Sequence, residues 1–388
     1  MFDLYKAFEC AKKNKKSKSY VKVFEQNLYN NLLTLCNDLW ERKYIAEPST
    51  CFIITQPKKR EVFAANFRDR IVHHLYFNYT HELFERTFIT DSYSCIKNKG
   101  THFGIHRLEK HIRKASNTYS KKCYILKMDI RGYFMNIDRK VLLRIVSECF
   151  NRKRTHRIDK TSSTTWDDVL DFCFIGYLSK VIILLDPTLN CRFRSEREDW
   201  KDLPKSKSLF HSPKGCGLPI GNLTSQLFSN VYLNVLDQYM KRILKMKHYG
   251  RYVDDFYVVS TNWKRLREII PLIRYFLKKE LHLELHMGKT QITSARHGVE
   301  FLGAFVKPYR TYISNQCLRR IRKKLCEHNR KKDWGKDPTH IVNSYLGMFS
   351  HYSSYRLRTL FFCSLHSLFR HGIYNSTVTK MTLTQHTS

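Results

Sequence analysis

Acidic residues are scarce in this chain relative to basic ones. Its 388 residues include 34 Asp and Glu but 69 Lys and Arg, and the formal net charge at pH 7 is +35. A chain with this much charge is often disordered, but 42% of its residues are hydrophobic and 14% are aromatic, which is typical of a folded protein. The composition therefore predicts a folded, basic protein of roughly two or three domains that has a polyanionic partner.

Long apolar runs are missing as well. No stretch reaches the roughly 18 apolar residues that span a bilayer, and no signal-type apolar segment precedes the lysines between Lys12 and Lys18. We therefore expect neither membrane insertion nor secretion. The lysines themselves indicate a solvated helix end or loop, which can also contact phosphate.

Zinc-type patterns of cysteine and histidine are also absent. The 12 cysteines are scattered singly without a CxxC pair, and the 18 histidines include no HExxH motif. We expect the cysteines to be reduced, buried thiols. Any bound metal is then expected to be a hard cation held by oxygen ligands, which makes the aspartates the candidate ligands.

The spacing of apolar residues predicts alternating helices and strands. Helical spacing covers residues 21–44 and 69–88, and the strand-like segments are residues 51–55, 61–67, 121–130, 251–260 and 299–306. This alternation is typical of an α/β or α+β chain.

Two other regions differ from the rest in composition. Residues 151–215 are polar and irregular, and we expect an insertion or a long loop there. From Lys307 to about residue 373 the chain is apolar and basic, which predicts a separate helical domain. The polar, Thr-rich residues 375–388 are expected to be frayed.

Aspartates occupy two positions that suit catalysis. Asp129 ends a strand-like segment, and Asp254 and Asp255 lie between two apolar strand halves, as in a tight hairpin. An isolated Asp-Asp pair is usually no more than a favourable turn. A hairpin aspartate beside an aspartate from a neighbouring strand end would, however, hold two Mg²⁺ ions in the geometry that in-line phosphoryl displacement requires.

The motifs of this chain resemble those of reverse transcriptases, in order and over nearly the whole length. Residues 252–255 (YVDD) resemble the YxDD catalytic turn of that family, and Asp129 resembles its first aspartate. The resemblance implies that Asp129, Asp254 and Asp255 are catalytic. It also implies that Asp129 and Asp254 ligate two Mg²⁺ ions, with Mn²⁺ as a substitute, and that the Ile130 carbonyl adds a metal ligand.

The same resemblance implies an α+β right-hand polymerase fold. Fingers would span about residues 1–120, and a palm with a ferredoxin-like antiparallel sheet would span about residues 121–303. The irregular residues 151–215 would be an insertion in the palm. A basic helical thumb with a polar tail would span about residues 304–388.

Several residues are implied to bind the incoming dNTP. Lys58 or Lys59 and Arg60 resemble the cations of the family's fingers motif, and a polyphosphate requires such cations. Phe134 matches the aromatic residue that follows the first aspartate and would be the steric gate that excludes a ribose 2′-hydroxyl. Burial in the core is the alternative for this side chain. Lys289 resembles the palm lysine that protonates pyrophosphate.

The nucleic acid is expected to contact two further groups of residues. The resemblance implies a primer grip at Phe301, Leu302 and Gly303. Because Lys and Arg side chains bind phosphates, we expect the thumb to bind RNA. The candidate thumb residues are Arg319, Arg320, Arg322 and Lys323.

A departure from the common motif indicates the subfamily. Most reverse transcriptases of the bacterial group II intron type carry QGxxxSP before a helix, whereas this chain has IGxxxSQ, formed by Ile220, Gly221, Ser225 and Gln226. Ile220 in place of Gln and Gln226 in place of Pro resemble the reverse transcriptases of diversity-generating retroelements. A helix cap is the alternative role for Ser225.

That subfamily implies a specific activity and setting. A template-repeat RNA would be copied into adenine-mutagenised cDNA, which diversifies a target gene by mutagenic retrohoming in the cytoplasm of a bacterial or phage-infected cell. The implied partners are the template RNA, the cDNA and an oligomeric, basic accessory variability protein. The apolar Ile220 removes a polar contact to the nascent base pair, which would lower fidelity.

Two alternatives remain open. An ordinary group II intron or retron reverse transcriptase is the nearest, but the SQ motif and the lack of a maturase-sized extension or an endonuclease module disfavour it. A non-catalytic RNA-binding scaffold would have lost an acidic ligand, whereas all three aspartates are present. No RNase H domain is apparent after the thumb, so we expect other enzymes to remove the template.

Overall fold

The architecture mixes helices with small sheets. The computed structural model describes residues 1–56, 58–159, 163–331, 339–365 and 372–383. The described helices are α1 (Phe2–Lys12), α2 (Ser19–Gln26), α3 (Leu28–Trp40), α4 (Phe67–Glu85), α5 (Thr101–Ala115), α6 (Tyr133–Asn136), α7 (Arg139–Lys153), α8 (Trp166–Val169), α9 (Phe172–Leu184), α10 (Leu223–Gln238), α11 (Trp263–Leu281), α12 (Asn315–Lys331), α13 (Thr339–Ser350) and α14 (Tyr355–Cys363). The described strands are β1 (Ser49–Ile54), β2 (Arg60–Ala64), β3 (Tyr124–Asp129), β4 (Cys191–Phe193), β5 (Tyr249–Tyr252), β6 (Asp255–Ser260), β7 (Gln291–Ser294), β8 (Val299–Phe301), β9 (Ala304–Lys307), β10 (Arg310–Ile313), β11 (Gly372–Tyr374) and β12 (Met381–Leu383).

The central sheet has four antiparallel strands in the order β5-β6-β3-β7. A connection that contains helices joins β3 to the β5–β6 hairpin, and α11 joins β6 to β7. This connectivity and strand order are those of a ferredoxin-like sheet, which confirms the sequence prediction for this part of the fold.

Alternate residues of the central sheet face two different cores, as the two-residue period of a strand requires. Leu126 and Met128 of β3 belong to the main core, which also contains residues of α4, α7, α9, α10 and α11. Ile125 of β3 and Tyr257 of β6 belong to a second core together with residues of α5. Because apolar side chains hold both faces, the positions of the strand ends are fixed.

A second sheet, of order β2-β1-β4, joins distant parts of the chain. The strand-like segments predicted at residues 51–55 and 61–67 are present as β1 and β2, which form a hairpin, and β4 pairs parallel to β1. Residue 57 lies outside the described residues. The buried Glu61 carboxylate on β2 accepts hydrogen bonds from Trp200 Nε1 (2.7 Å), Ser208 Oγ (2.9 Å) and the Leu209 amide (2.6 Å). Glu61 thereby anchors residues 200–209 beside β2.

The prediction of one irregular stretch over residues 151–215 is wrong for its middle. α9 lies inside it, and the Asp171 side chain caps the helix by accepting from the amides of Cys173 and Phe174. Ile175 and Leu178 of this helix are buried in the main core. Polar and charged residues flank α9 on both sides, so the helical spacing of its apolar residues was not recognised in the sequence. Residues 160–162 of the same stretch lie outside the described part of the chain.

The single helix predicted over residues 21–44 is instead two helices. The break between α2 and α3 lies at Asn27, whose backbone leaves the helical region with φ −130° and ψ 45°. The apolar spacing runs through both helices, so it could not reveal the break. Val21, Leu32, Leu35 and Leu39 nevertheless reach one shared core.

The C-terminal region also differs from its prediction. β8, β9 and β10 form one sheet, so the expected domain boundary at residue 304 falls between two paired strands. The tail that was expected to be frayed instead forms β12, which pairs with β11. The Asn375 side chain closes their turn by accepting from the amides of Thr379 and Lys380. Residues 384–388 lie outside the described part.

The cysteines and helix lengths bear on two further expectations. All 12 cysteines lie among the described residues and are free thiols, but Cys51, Cys123 and Cys149 alone are buried, so the expectation of burial is wrong for the others. In the described part of the chain, no helix combines the length and the apolar character needed to cross a membrane.

Glu61→Ala should detach residues 200–209 from β2, because the Leu209 amide and two side-chain donors lose their acceptor. We expect the free energy of unfolding in urea to fall by about 1–3 kcal/mol. Hydrogen exchange of residues 200–209 should become faster. Glu198→Ala, at an exposed site in the same region, is the matched control and should change neither quantity. Equal stability of the two variants would contradict the anchoring role.

Candidate active site

The β5–β6 hairpin places one aspartate in a tight turn. Tyr252 pairs with Asp255, so Val253 and Asp254 are the two turn residues. Val253 has φ +54°, the left-handed value that such hairpin turns require at the first turn position. In the neighbouring strand, Asp129 pairs directly with Asp255. The register of β3 against β6 therefore brings all three predicted aspartates to the same edge of the sheet.

The electrostatics of this edge are those of crowded carboxylates. Burial and the neighbouring Asp129 carboxylate raise the pKa of Asp254 to about 6. Burial also raises the pKa of Asp255 to about 6, against the opposing effect of Lys127. Ionised oxygens in such a place are unfavourable unless a cation compensates them.

Two lysines pair with the carboxylates in different ways. Lys289 Nζ donates to Asp129 Oδ2 at 2.8 Å, so the predicted palm lysine lies at the site. Lys127 Nζ lies 3.3 Å from Asp255 Oδ2 and also donates to the Glu300 carbonyl at 2.9 Å. Asp255 is thus tied to a structural cation, whereas the nearest cations to Asp254 act on it only through space.

The candidate triphosphate cations are not equivalent. Arg60 is exposed, and its charge lowers the pKa of Asp254 through space. Lys59 Nζ instead donates to the Lys201 carbonyl. Lys58 is exposed in the hairpin loop. Of the three, Arg60 is the residue whose charge acts on Asp254.

The IGxxxSQ motif is fastened to β2. The Phe63 amide donates to the Ile220 carbonyl at 2.9 Å. Gly221 has φ +129°, and a Cβ there would lie 2.8 Å from Val62 Cγ1 and 2.9 Å from the Phe63 carbonyl oxygen. Glycine is therefore required by both its backbone conformation and the close approach of β2.

The side chains of this motif point to different environments. Ile220 is half-buried against a small apolar cluster, and Phe134 packs against the same cluster. Ser225 is buried in α10, and Gln226 is exposed on it. The helix-cap alternative for Ser225 does not hold, because Asn222 occupies the N-cap.

The predicted primer grip needs one correction. Leu302 and Gly303 form the turn between β8 and β9, with φ +52° and +81°. Phe301, however, is fully buried and packs edge-on against Tyr257 at 5.2 Å between ring centroids. The prediction that the Phe301 side chain contacts nucleic acid is therefore wrong, because this side chain lies in the core beneath the turn.

The four candidate thumb cations all lie on α12. Ile321 and Leu325 are buried on one face of this helix. The exposed face carries Arg319, Arg320, Arg322 and Lys323. The helix therefore presents a row of cations to solvent while its apolar side holds the C-terminal core.

Sequence reasoning missed three charged residues that support the turn: Lys127, Arg251 and Asp237. Arg251 and Asp237 form a buried ion pair behind the β5–β6 turn. The available signals were a lysine inside an apolar strand, an arginine directly before YVDD and an aspartate within the apolar face of α10. None of these signals shows which residues pair with each other.

Most of the sequence matches the model of one known protein family. The model described as reverse transcriptase (RNA-dependent DNA polymerase) matches residues 56–306, which include every element of the central sheet and the three aspartates. The chain belongs to the reverse transcriptase family. Its mixed architecture with an antiparallel palm sheet is accordingly the right-hand polymerase fold.

Individual relatives are distant. Protein YkfC of Escherichia coli strain K12 is 25% identical over 280 residues, which are 63% of this chain and 62% of the relative. Among solved structures, telomerase from Candida albicans in complex with a telomeric RNA fragment is 10% identical with a TM-score of 0.46, and the match covers 72% of this chain and 49% of that one. Apo telomerase from Candida tropicalis is 11% identical with a TM-score of 0.46, covering 84% and 58%. This chain thus spans about half to three-fifths of the length of these proteins.

Reverse transcriptases use divalent metal ions and dNTPs, and the residues at the turn fit such a cation. Asp129 and Asp254 supply carboxylate oxygens, the ligands that Mg²⁺ prefers, and Asp255 Oδ1 is buried without a hydrogen-bond partner in the described structure. Among the described residues, no three acidic, His or Cys side chains form a metal-binding group by themselves. The protein thus supplies part of a coordination shell, and Mg²⁺ usually completes its shell with substrate phosphates and water.

Asp254→Asn should stabilise the metal-free protein at high pH. The folded-state pKa of Asp254, about 6, lies above the ordinary value of an aspartate, so the ionised form opposes folding above pH 6. The penalty disappears as the pH falls through 6 toward 4. Urea unfolding in the presence of a chelator should show Asp254→Asn to be more stable than wild type by about 1–3 kcal/mol at pH 8, with little difference near pH 4.

The control for this measurement is Asp199→Asn, which removes an exposed carboxyl far along the chain from the turn. It should show no comparable gain at pH 8. A loss of stability in Asp254→Asn at pH 8 would contradict the crowding of the carboxylates.

Proposed function

We propose that this chain is an RNA-directed DNA polymerase whose active site is the edge of the palm sheet. One observation carries the proposal: the register of β3 and β6 sets the Asp254 turn beside Asp129, whose carboxylate pairs with Lys289, while the charge of Arg60 acts on Asp254 through space. A site that combines two carboxylates with surrounding cations suits a reaction between a hydroxyl group and a polyphosphate.

The residues at this edge would divide the work. Asp129 and Asp254, with the Ile130 carbonyl, would hold two Mg²⁺ ions. When bound, these ions would activate the primer 3′-hydroxyl and neutralise charge on the phosphates. Arg60 would bind the triphosphate, and Lys289 Nζ would give a proton to the departing pyrophosphate. Asp255, paired with Lys127, would keep the turn in place.

The walls of the nucleotide pocket would select the substrate. Phe134 is half-buried and packs edge-on against Tyr133 at 5.3 Å between ring centroids. A ring held in this way would exclude a ribose 2′-hydroxyl and favour dNTPs. Lys58 and Lys59 would then contribute charge to the rim of the pocket, with Arg60 as the principal cation.

The nucleic acid would leave the site along the turn at Leu302 and Gly303 toward α12, whose exposed cations would contact the RNA backbone. We propose that the fingers span about residues 1–120. Because β8, β9 and β10 are one sheet, we place the boundary between palm and thumb near Ser314, where α12 is about to begin.

We further propose that this polymerase is the low-fidelity enzyme of a diversity-generating retroelement. It would copy a template-repeat RNA into adenine-mutagenised cDNA in the bacterial cytoplasm, as a ribonucleoprotein with an accessory variability protein. Ile220 and Gln226 support this subtype, since they replace the polar residue and the proline of the common motif. The packing of Ile220 and Phe134 against the same small cluster supports this reading, because the proposed nucleotide pocket would then have an apolar side chain near the steric gate.

Asp129→Asn should abolish RNA-directed DNA synthesis, because it removes the charge that would hold the metal beside Asp254. Primer extension on an RNA template with Mg²⁺ or Mn²⁺ measures this. We expect extension by wild type and a loss of roughly 1,000-fold or more in the variant. Asp199→Asn should extend at the wild-type rate. Lack of extension by the wild type with either metal would contradict the proposed function itself, and extension by Asp129→Asn at the wild-type rate would contradict the assignment of the site.

Ile220→Gln should raise fidelity, because it restores a polar group beside the nascent base pair. One polar contact corresponds to roughly a 5- to 150-fold change in discrimination. Sequencing of cDNA made by both enzymes on one RNA template should show fewer errors in Ile220→Gln, most clearly opposite template adenine. Ile220→Leu, which stays apolar, is the matched control. Equal adenine errors in the Gln and Leu variants would contradict the role of Ile220, and uniformly accurate wild-type cDNA would favour an ordinary group II intron or retron enzyme.

A further inference from the structure

Arg251 is a buried cation that lies directly before the catalytic turn. Its Nη2 and Nε donate to the two carboxylate oxygens of Asp237 at 2.6 and 2.8 Å, and both side chains are 0% exposed. The Tyr249 hydroxyl donates to the same carboxylate at 2.6 Å. A buried pair with this many hydrogen bonds is fixed in position, because breaking it would leave an uncompensated charge in the core.

The guanidinium also reaches the turn itself. Arg251 Nη1 donates to the Val253 carbonyl at 3.1 Å, and Nη2 lies 3.2 Å from Ser92 Oγ. Burial lowers the pKa of Arg251, but Asp237 outweighs this effect and the net shift is upward. The guanidinium therefore remains charged wherever the protein is folded, and it joins α10 to the backbone directly before Asp254.

Val253 has a backbone conformation that its own side chain disfavours. Its φ of +54° lies in the left-handed region, where Gly and Asn are common and β-branched residues are rare. Such strain persists only where surrounding structure determines it, so the turn requires a contact from a side chain that is itself fixed, as Asp237 of α10 fixes Arg251. Arg251 supplies a contact at the strained residue.

We propose that Arg251 is a positioning residue, which holds the Val253 carbonyl and so sets Asp254 beside Asp129. Asp237 fixes the guanidinium, and the guanidinium fixes the turn. The planar group matches two carboxylate oxygens and one carbonyl at the same time, which a lysine ammonium on a flexible stem does not. The catalytic consequence rests on the polymerase function proposed above, whereas the effect on the turn does not.

Arg251→Lys tests the proposal with two measurements. The first is hydrogen exchange of residues 252–255 in the metal-free protein, which should become about tenfold faster or more because the turn is no longer held. The second is kcat of primer extension on RNA, which should fall about 10- to 100-fold, as expected when a catalytic group is displaced by about 1 Å. Thermal unfolding is measured in parallel to record any loss of overall stability.

Tyr249→Phe is the matched control. It removes another hydrogen bond to the Asp237 carboxylate but leaves the contact between Arg251 and Val253 in place. It should lower the unfolding temperature while the exchange of residues 252–255 and kcat stay near the wild-type values. If the buried pair has a purely structural role, both variants should lose kcat in proportion to their loss of stability. That result would overturn the proposal.

Val253→Asn provides a second test, which stands even if Arg251→Lys does not fold. Asn accepts a left-handed backbone and keeps the carbonyl that Arg251 contacts. With Arg251 intact, the exchange of residues 252–255 in Val253→Asn should stay within about threefold of wild type. Much faster exchange in this variant would show that Arg251 does not hold the turn. When Arg251→Lys folds, its loss of kcat should be smaller in the Val253→Asn background, and an undiminished loss would overturn the proposal.

A wild-type protein that does not extend primers would contradict the polymerase function, and the exchange measurements would still test the turn. Extension by the wild type, combined with unchanged exchange and kcat in Arg251→Lys, would overturn the positioning role and leave the polymerase function standing.

Discussion

The antiparallel pairing of β3 with β6 is the constraint on which the site depends. In this register Asp129 lies opposite Asp255, and the hairpin turn then sets Asp254 beside Asp129. A slip by one residue would turn every side chain of a strand to the opposite face of the sheet. Apolar residues prevent the slip, since Leu126 and Met128 belong to one core and Ile125 to another. The packing of the palm therefore determines where the acidic edge forms.

Acidic and basic side chains are distributed differently between the site and the surface. The chain as a whole is strongly basic, yet carboxylates meet at the edge of its palm sheet. Burial raises the pKa values of two of them, Asp254 and Asp255. Lys127 compensates Asp255 and Lys289 compensates Asp129, while Asp254 has through-space cations alone. Basic residues outside the site, such as those exposed on α12, remain free to contact a nucleic acid backbone. A polymerase requires both features, an acidic centre for metal ions and a basic surface for phosphates.

The sequence reveals local features of this protein better than long-range ones. Asp129 and Asp254 were predictable because a strand end and an acidic turn are each local patterns, and the order of the motifs indicated that they meet. The burial of Phe301 was not predictable, since β8 is too short to show which of its faces lies in the core. The pair formed by Arg251 and Asp237 depends on how α10 packs against β5, and the anchoring of residues 200–209 by Glu61 joins segments far apart in the sequence. No local pattern encodes either contact.

The most direct test of the account is a structure of this protein bound to an RNA–DNA primer-template, a non-hydrolysable dNTP and Mg²⁺. The account predicts Mg²⁺ coordinated by both Asp129 and Asp254 at about 2.1 Å, with the triphosphate beside Arg60 and the nascent base pair beside Phe134 and Ile220. Metal and nucleotide bound at another part of the chain, or a primer end directed away from the β5–β6 turn, would contradict it.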